Sequence, residues 1–383
     1  MPSGVVEVNR SYNTHMANPS DIVVIGGGII GLTSAYFLAK AGVRVEVIDR
    51  QELGREASWA GAGIIPPGNP ARARSAADKL RALSVSRFAA FSAELRELTG
   101  IDNGYVRCGG IEILDESDAD DVARWEAEGL VTVPLLPGRC GMISEGVLGI
   151  PPPVREREAR YYLPDFAQVR NPWHLRALIA ACERVGVKLS PNTPFHPQSI
   201  LPDRHYLLAA GAWAGELLKS FGVELPVQPV RGQIVLFRCE RPPFTPIIMH
   251  GKRYLVPRPD GRVLAGSTEE PGAGFEKATT TEGVEELKQF AFDHCSALRS
   301  ADVEKTWAGL RPGSPDGLPF IGPVSGVPNL FAAVGHFRTG VQLSLGTAEL
   351  VSHGLLNTST DIPLDSFRLD REPDMTARPA FRS

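Results

Sequence analysis

Residues 21–50 constrain this chain more than any other stretch. A short apolar run, Ile22-Val23-Val24-Ile25, has the β-branched character of a strand buried on both faces of a parallel sheet. Gly26, Gly28 and Gly31 follow at the spacing G-x-G-x-x-G. In such a loop the first glycine permits the tight turn, the second lets backbone approach a pyrophosphate, and the third lets helix and strand pack closely. An apolar helical segment then runs to Gly42, and a second strand-like run, Val43 to Ile48, ends on Asp49. An acid at that point suits a ribose hydroxyl, and the free N–H groups that open the helix suit phosphate. Strand, glycines, helix, strand and acid in one unit predict dinucleotide binding.

Ile22 to Ala39 is also an uncharged stretch of 18 residues, close to the length of a membrane span. Four glycines lie inside it, three of them consecutive. Each costs about 1 kcal/mol relative to alanine in a helix interior, so a continuous helix is disfavoured. No small-residue cleavage site follows, as a signal peptide would need.

With 383 residues, 43% of them apolar, the chain has room for two domains, or one with a large insertion. A net charge of -4 without a basic block excludes a nucleic-acid partner. The five cysteines form no C-x-x-C pair, which points to buried thiols in a reducing cytoplasm. Histidine spacing fits no metal site, and no G-x-S-x-G elbow is present.

Residues 1–20 read as a polar leader, with Met16 as an alternative start, and residues after Arg371 as a polar tail. Small residues crowd 57–65, where backbone can approach something flat. Leu80, Leu83, Phe88, Phe91, Leu95 and Leu98 mark the core face of a helix over 75–100. A strand is expected near 110–114, a solvated helix over 118–128, a rigid loop at Pro151-Pro152-Pro153 and a helix over 171–186 opened by Pro172. A strand closes on Gly211, and further strands are expected at 228–238, 254–257 and 262–265. A helix over 281–300, a loop at 307–313, the strand 330–334 and a helix from Val341 complete the pattern. A nucleotide unit opens the chain and glycine-marked strand ends recur near 211 and 335, with other strands between. The order predicts an α/β protein: a discontinuous Rossmann-like FAD- or NAD-binding domain holding an inserted, mostly antiparallel α+β domain.

With Gly26 to Gly31, Asp49, the 57–65 loop, Ala209-Ala210-Gly211-Ala212-Trp213, Tyr254-Leu255-Val256-Pro257-Arg258, Trp307-Ala308-Gly309-Leu310-Arg311-Pro312 and Gly335-His336-Phe337-Arg338-Thr339-Gly340 in place, the chain resembles the FAD-dependent amine and D-amino-acid oxidases. Within them it is similar to the branch that oxidises glycine for thiazole (thiamine) synthesis. The resemblance implies FAD-binding segments at 21–80, 155–220 and 305–370, and a substrate domain from 81–154 and 221–304. It implies that Gly26, Gly28 and Gly31, with Ile29 and Ile30, hold the pyrophosphate, and Asp49, beside Arg50, the adenosine ribose. Ser58, Ala60, Gly61 and Gly63 would line the ring system, and Gly211 would approach the cofactor. The turn His336, Arg338, Thr339, Gly340 and Val341 would aim a helix N-terminus at the flavin pyrimidine, where reduced flavin carries negative charge.

Arg311 sits among apolar residues, and arginine grips carboxylates with two parallel bonds. Read alone it is equally a structural salt bridge; the resemblance makes it the substrate anchor, with Tyr254 as second contact and Arg338 as third. His336 reads as structural rather than as a base. The implied reaction is oxidative deamination of glycine or another small amine. Hydride passes from Cα to flavin N5, giving an imino acid, and O2 reoxidises the flavin to give H2O2. No cysteine follows Cys295, which argues for a non-covalent cofactor. A homo-oligomer is implied, with no membrane partner. The rivals are a D-amino-acid dehydrogenase that passes electrons to a quinone and a non-catalytic nucleotide-binding protein. The short run between Gly186 and Leu207 leaves the adenine end open, and Pro271-Gly272-Ala273-Gly274 suggests a lid.

Overall fold

In the computed structural model, residues 22–115, 118–135, 159–375 and 381 are described. The leader, the Pro151–Pro153 loop, Cys140 and the end of the tail lie outside them.

The opening run forms the strand Ile22–Ile25, buried at every position. It is flanked by Val45–Ile48 on one side and His205–Leu208 on the other, both parallel to it. Leu330–Val334 and Lys188–Ser190 extend this sheet in the same sense, and Phe320–Pro323 closes one edge antiparallel, giving six strands. Such a sheet needs both faces covered. The helices Ile29–Lys40, Ala76–Thr99, Asn171–Arg184 and Gly340–Leu356 supply one cover. Ala214–Lys219 contributes Leu218 to the other. Ala76–Thr99 starts at Ser75, whose hydroxyl accepts from the Asp78 N–H at 3.0 Å, and stops at Gly100 in the left-handed region. Leu80, Phe88 and Leu95 are fully buried, as the periodicity predicts.

A second sheet has eight strands. All its pairings are antiparallel except that of Ile247–His250 with Gly110–Leu114. The helix Thr281–His294 packs Leu287, Phe290 and Ala291 against one face. The other face looks toward the glycine-ended strands of the first sheet.

Two expectations need correction. Residues 307–313 are not a loop but the end of the strand Asp302–Gly313, paired along its length with Gln228–Arg238. Glycine and proline there obscured a strand whose Gly309 lies opposite Gly232. The segment boundaries also move. Residue 80 falls inside helix Ala76–Thr99, whose apolar face belongs to the first core. Residue 305 falls inside a strand of the eight-stranded sheet, and Ala159–Leu163, expected with the cofactor segments, pairs in that sheet too. A continuous ladder or buried face holds each element to one layer, whatever the sequence punctuation suggests.

Candidate active site

The carboxyl ends of Ile22–Ile25, Val45–Ile48, His205–Leu208 and Leu330–Val334 lie together, where ligands bind in open parallel sheets. A cavity of about 580 Å³ opens there and continues beneath the eight-stranded sheet. Its size falls within the roughly 300–1,000 Å³ of cofactor and ligand sites.

At one end stands the glycine loop. Gly26 has φ +112°, and a Cβ on it would meet the Ala209 carbonyl oxygen at 2.4 Å. A Cβ on Gly31 would meet the Gly26 oxygen at 2.0 Å, so this glycine sets strand-to-helix packing and does not line the cavity. Gly28, Ile29 and Ile30 do line it. The Ile29 N–H donates to Ser58 Oγ at 2.9 Å, so Ser58 works at the helix start as well as at the cavity wall. The Ile30 and Gly31 N–H groups have no acceptor among the described residues. Asp49 accepts from the N–H groups of Gly27 (2.8 Å) and Gln51 (3.0 Å). Burial raises its carboxyl above the ordinary range despite these bonds. The Arg50 guanidinium lies 3.8 Å from the Trp213 ring centroid, and Trp213 stacks on Phe275. Lys277 reaches Glu56 at 3.0 Å. The residues after Pro271–Ala273 thus close on the cavity rim beside Gly211.

Residues 58–63 form the next wall, and part of what reads as a loop is the short helix Ala57–Ala60. Asn171 Nδ2 donates to the Ser58 carbonyl (2.7 Å), Trp307 Nε1 to that of Ala60 (3.0 Å), Arg258 Nη2 to that of Ala62 (2.6 Å) and the Val169 N–H to that of Gly63 (2.9 Å). The Ala62 and Gly63 N–H groups have no acceptor among the described residues, and both residues line the cavity. Across from them the helix Gly340–Leu356 begins. Thr339 makes no side-chain cap, and the N–H groups of Gly340 and Val341 have no acceptor among the described residues. Thr339 itself stays out of the wall and donates its hydroxyl to the His336 carbonyl. His336 is buried, meets Thr347 Oγ1 at 3.0 Å, and is lowered to about 3 by desolvation. Such an imidazole is neutral at working pH and structural.

Sheet alternation puts Trp307, Gly309 and Arg311 on one face. A Cβ on Gly232 would meet Arg311 Nη1 at 2.1 Å, and one on Gly266 would meet the Tyr254 ring at 2.6 Å. These two strand glycines clear the space that Arg311 and Tyr254 occupy. Arg311 is half-buried and donates to Ser267 Oγ and to the Thr268 carbonyl (3.2 Å). Among the described residues no carboxylate bonds it. Burial lowers it to about 10, with the like charge of Arg338 adding and Tyr254 and Glu269 opposing. Arg338 differs: it meets Glu269 at 3.2 Å and the Lys252 carbonyl at 2.6 Å, and Lys252 Nζ also meets Glu269, at 2.5 Å.

The sequence reading missed Gly232, Gly266, Ser267, Glu269, Asn171 and Arg258. A signal existed for the two glycines, since glycine inside a strand marks close approach.

The free N–H groups along the cavity, at two helix starts and one loop, fit a long ligand carrying phosphates at one end and a ring with acceptor atoms at the other. A family model described as FAD dependent oxidoreductase matches residues 21–353. The chain belongs to this family. It is 36% identical to a glycine oxidase of Pseudomonas aeruginosa over 346 residues, 86% of this chain and 93% of that one. It is 32% identical to the bifunctional protein ThiO/ThiG of a Nostoc species, over 92% of this chain and 55% of that one. The crystal structure of glycine oxidase from Geobacillus kaustophilus superposes with a TM-score of 0.83 at 29% identity, over 92% of this chain and 99% of that one. The protein is an FAD-dependent oxidoreductase, and no described helix is long and apolar enough to cross a membrane.

Proposed function

We propose that this enzyme oxidises glycine, or another small amino acid or amine, to the imino acid, with O2 reduced to H2O2, and that the imino acid feeds thiazole synthesis. The observation that carries the reading is Arg311: a half-buried cation on the cavity wall whose hydrogen-bond partners among the described residues are neutral oxygens. A charge so placed needs a counter-ion, and a substrate carboxylate in bidentate contact supplies it. Ser267 and Thr268 hold the guanidinium from behind, and Gly232 leaves it room. Tyr254 forms the neighbouring wall.

FAD, when bound, supplies the hydride acceptor that turns an amine into an imine. The Gly28–Gly31 helix start would hold its diphosphate, Asp49 its ribose, and residues 58–63 and the Gly340 helix start its ring. The chain's own part in the reaction is placement: Arg311 fixes the carboxylate, so the Cα–H and a deprotonated amine face the ring wall. Neutral His336, lowered to about 3 by burial, is too weak a base to take a proton from the substrate, and hydride transfer from a deprotonated amine calls on none. The names of the similar proteins support glycine and the thiazole route. Free thiols at all four described cysteines agree with a cytoplasmic location, and we take the enzyme to be a homo-oligomer.

Oxygen-electrode traces with glycine, sarcosine and D-alanine test the reading. Oxygen uptake with stoichiometric peroxide is expected. Dye reduction without oxygen uptake would replace it with a dehydrogenase.

A further inference from the structure

Arg258 is buried, and among the described residues its three hydrogen bonds go to Gln168 Oε1, the Val169 carbonyl (3.0 Å) and the Ala62 carbonyl (2.6 Å). All three acceptors are neutral. The nearby acid, Asp260, is held by Arg170 at 2.5 Å and by Arg262 at 2.9 Å. Desolvation lowers Arg258 to about 10, and it stays charged at neutral pH. A neutral amide side chain could donate to such carbonyls without the cost of burying a charge.

What only the charge adds shows in the peptide it touches. In a trans peptide the C=O and N–H vectors are antiparallel. Arg258 holds the oxygen of the Ala62–Gly63 peptide, so the N–H of that unit, which belongs to Gly63, points the opposite way. Gly63 lines the cavity and its N–H has no acceptor among the described residues. Its φ of +74° and a Cβ clash of 2.1 Å with the Val169 oxygen reserve the position for glycine. A cation on the carbonyl end polarises the amide and strengthens its N–H as a donor.

We propose that Arg258 is a positioning residue for the cofactor: it fixes and polarises the Ala62–Gly63 peptide so that a charged-assisted N–H meets the negative charge the flavin ring takes up on reduction. This rests on the reading above that residues 58–63 face the ring.

Sulfite tests it without turnover, because its sulfur lone pair bonds to the oxidised ring, leaves negative charge there and bleaches the flavin absorbance. In holoenzyme carrying Arg258→Gln, sulfite should bind about tenfold more weakly, the difference between a charge-assisted and a neutral hydrogen bond, and the midpoint potential should move negative. Arg258→Lys should recover much of both. Gln168→Glu provides an independent route, placing a carboxylate on the guanidinium to cancel its charge while keeping Arg258 in the fold. It should weaken sulfite binding similarly. Lower melting temperature or weaker FAD binding, with unchanged sulfite affinity in the flavin that remains bound, would reduce Arg258 to a structural brace and overturn the proposal. If Arg258→Gln does not fold, unchanged sulfite affinity in Gln168→Glu overturns it alone. A colourless wild-type protein would instead break the functional reading.

Discussion

Two arginines of this chain face opposite electrostatic situations. Arg81 lies on the helix Ala76–Thr99, 4% exposed, and is answered from within the fold by Glu128, by Asp78 at 3.2 Å and by the Pro67 carbonyl. Arg311 has a hydroxyl and a carbonyl behind it and an open cavity in front. Desolvation penalises both. The first is balanced when the chain folds; the second is balanced only when an anion arrives. The sequence shows two arginines and does not show which one the fold answers in full. Glu128, the more deeply buried acid on Arg81, is 47 residues away, and among the described residues no acid bonds Arg311.

The sharpest test removes the internal partner. Glu128→Gln leaves Arg81 buried with half its compensation, at a cost of about 3–5 kcal/mol. Urea unfolding should show that loss, while turnover per folded, flavin-loaded enzyme stays near wild type. Intact stability with lost turnover would mean that Arg81 belongs with Arg311 after all.

Removing the other arginine should do the reverse. Arg311→Met should raise KM roughly 10- to 150-fold, the equivalent of a charge-assisted pair worth about 1.5–3 kcal/mol, with FAD absorbance and unfolding midpoint little changed. A rise below about threefold would assign the substrate carboxylate elsewhere.

The same contrast explains what could be read in advance. The first β-α-β unit and Asp49 were legible because their determinants are contiguous and the spacing carries the geometry. Arg311 was legible only through a motif shared with a known family. Gly232 and Gly266 were not, because their meaning depends on which side chain a paired strand places over them. The strand Asp302–Gly313 was misread for a related reason. Its glycine looks like punctuation until Gly232 appears opposite it. Arg258 and Asn171 bond backbone carbonyls of a segment more than 110 residues earlier, and no local pattern marks such a bond.

Arg338 is intermediate between the two arginines: it lines the cavity, yet Glu269 already answers it. Burial alone would raise the Glu269 carboxyl; the Lys252 hydrogen bond and the charges of Arg338, Lys252 and Arg311 outweigh that and hold it below the ordinary range. A carboxyl depressed on folding contributes stability that is present above its unfolded value and is lost as pH falls through its folded one. Wild-type stability should therefore carry a component that disappears on acidification below the ordinary glutamate range, and Glu269→Gln should lack it. Unfolding midpoints of both proteins between about pH 3 and 6 measure the difference. The curves should converge at the acid end, where wild-type Glu269 is protonated and resembles the amide, and separate as pH rises. Parallel curves would show that Glu269 gives the fold nothing through its charge. The substitution also leaves Arg338 without its counter-ion, so an amine with a second carboxylate should gain on glycine by a few-fold through one more charge-assisted contact. An unchanged preference would place the Arg338 guanidinium out of reach of the substrate and leave Arg311 to select it.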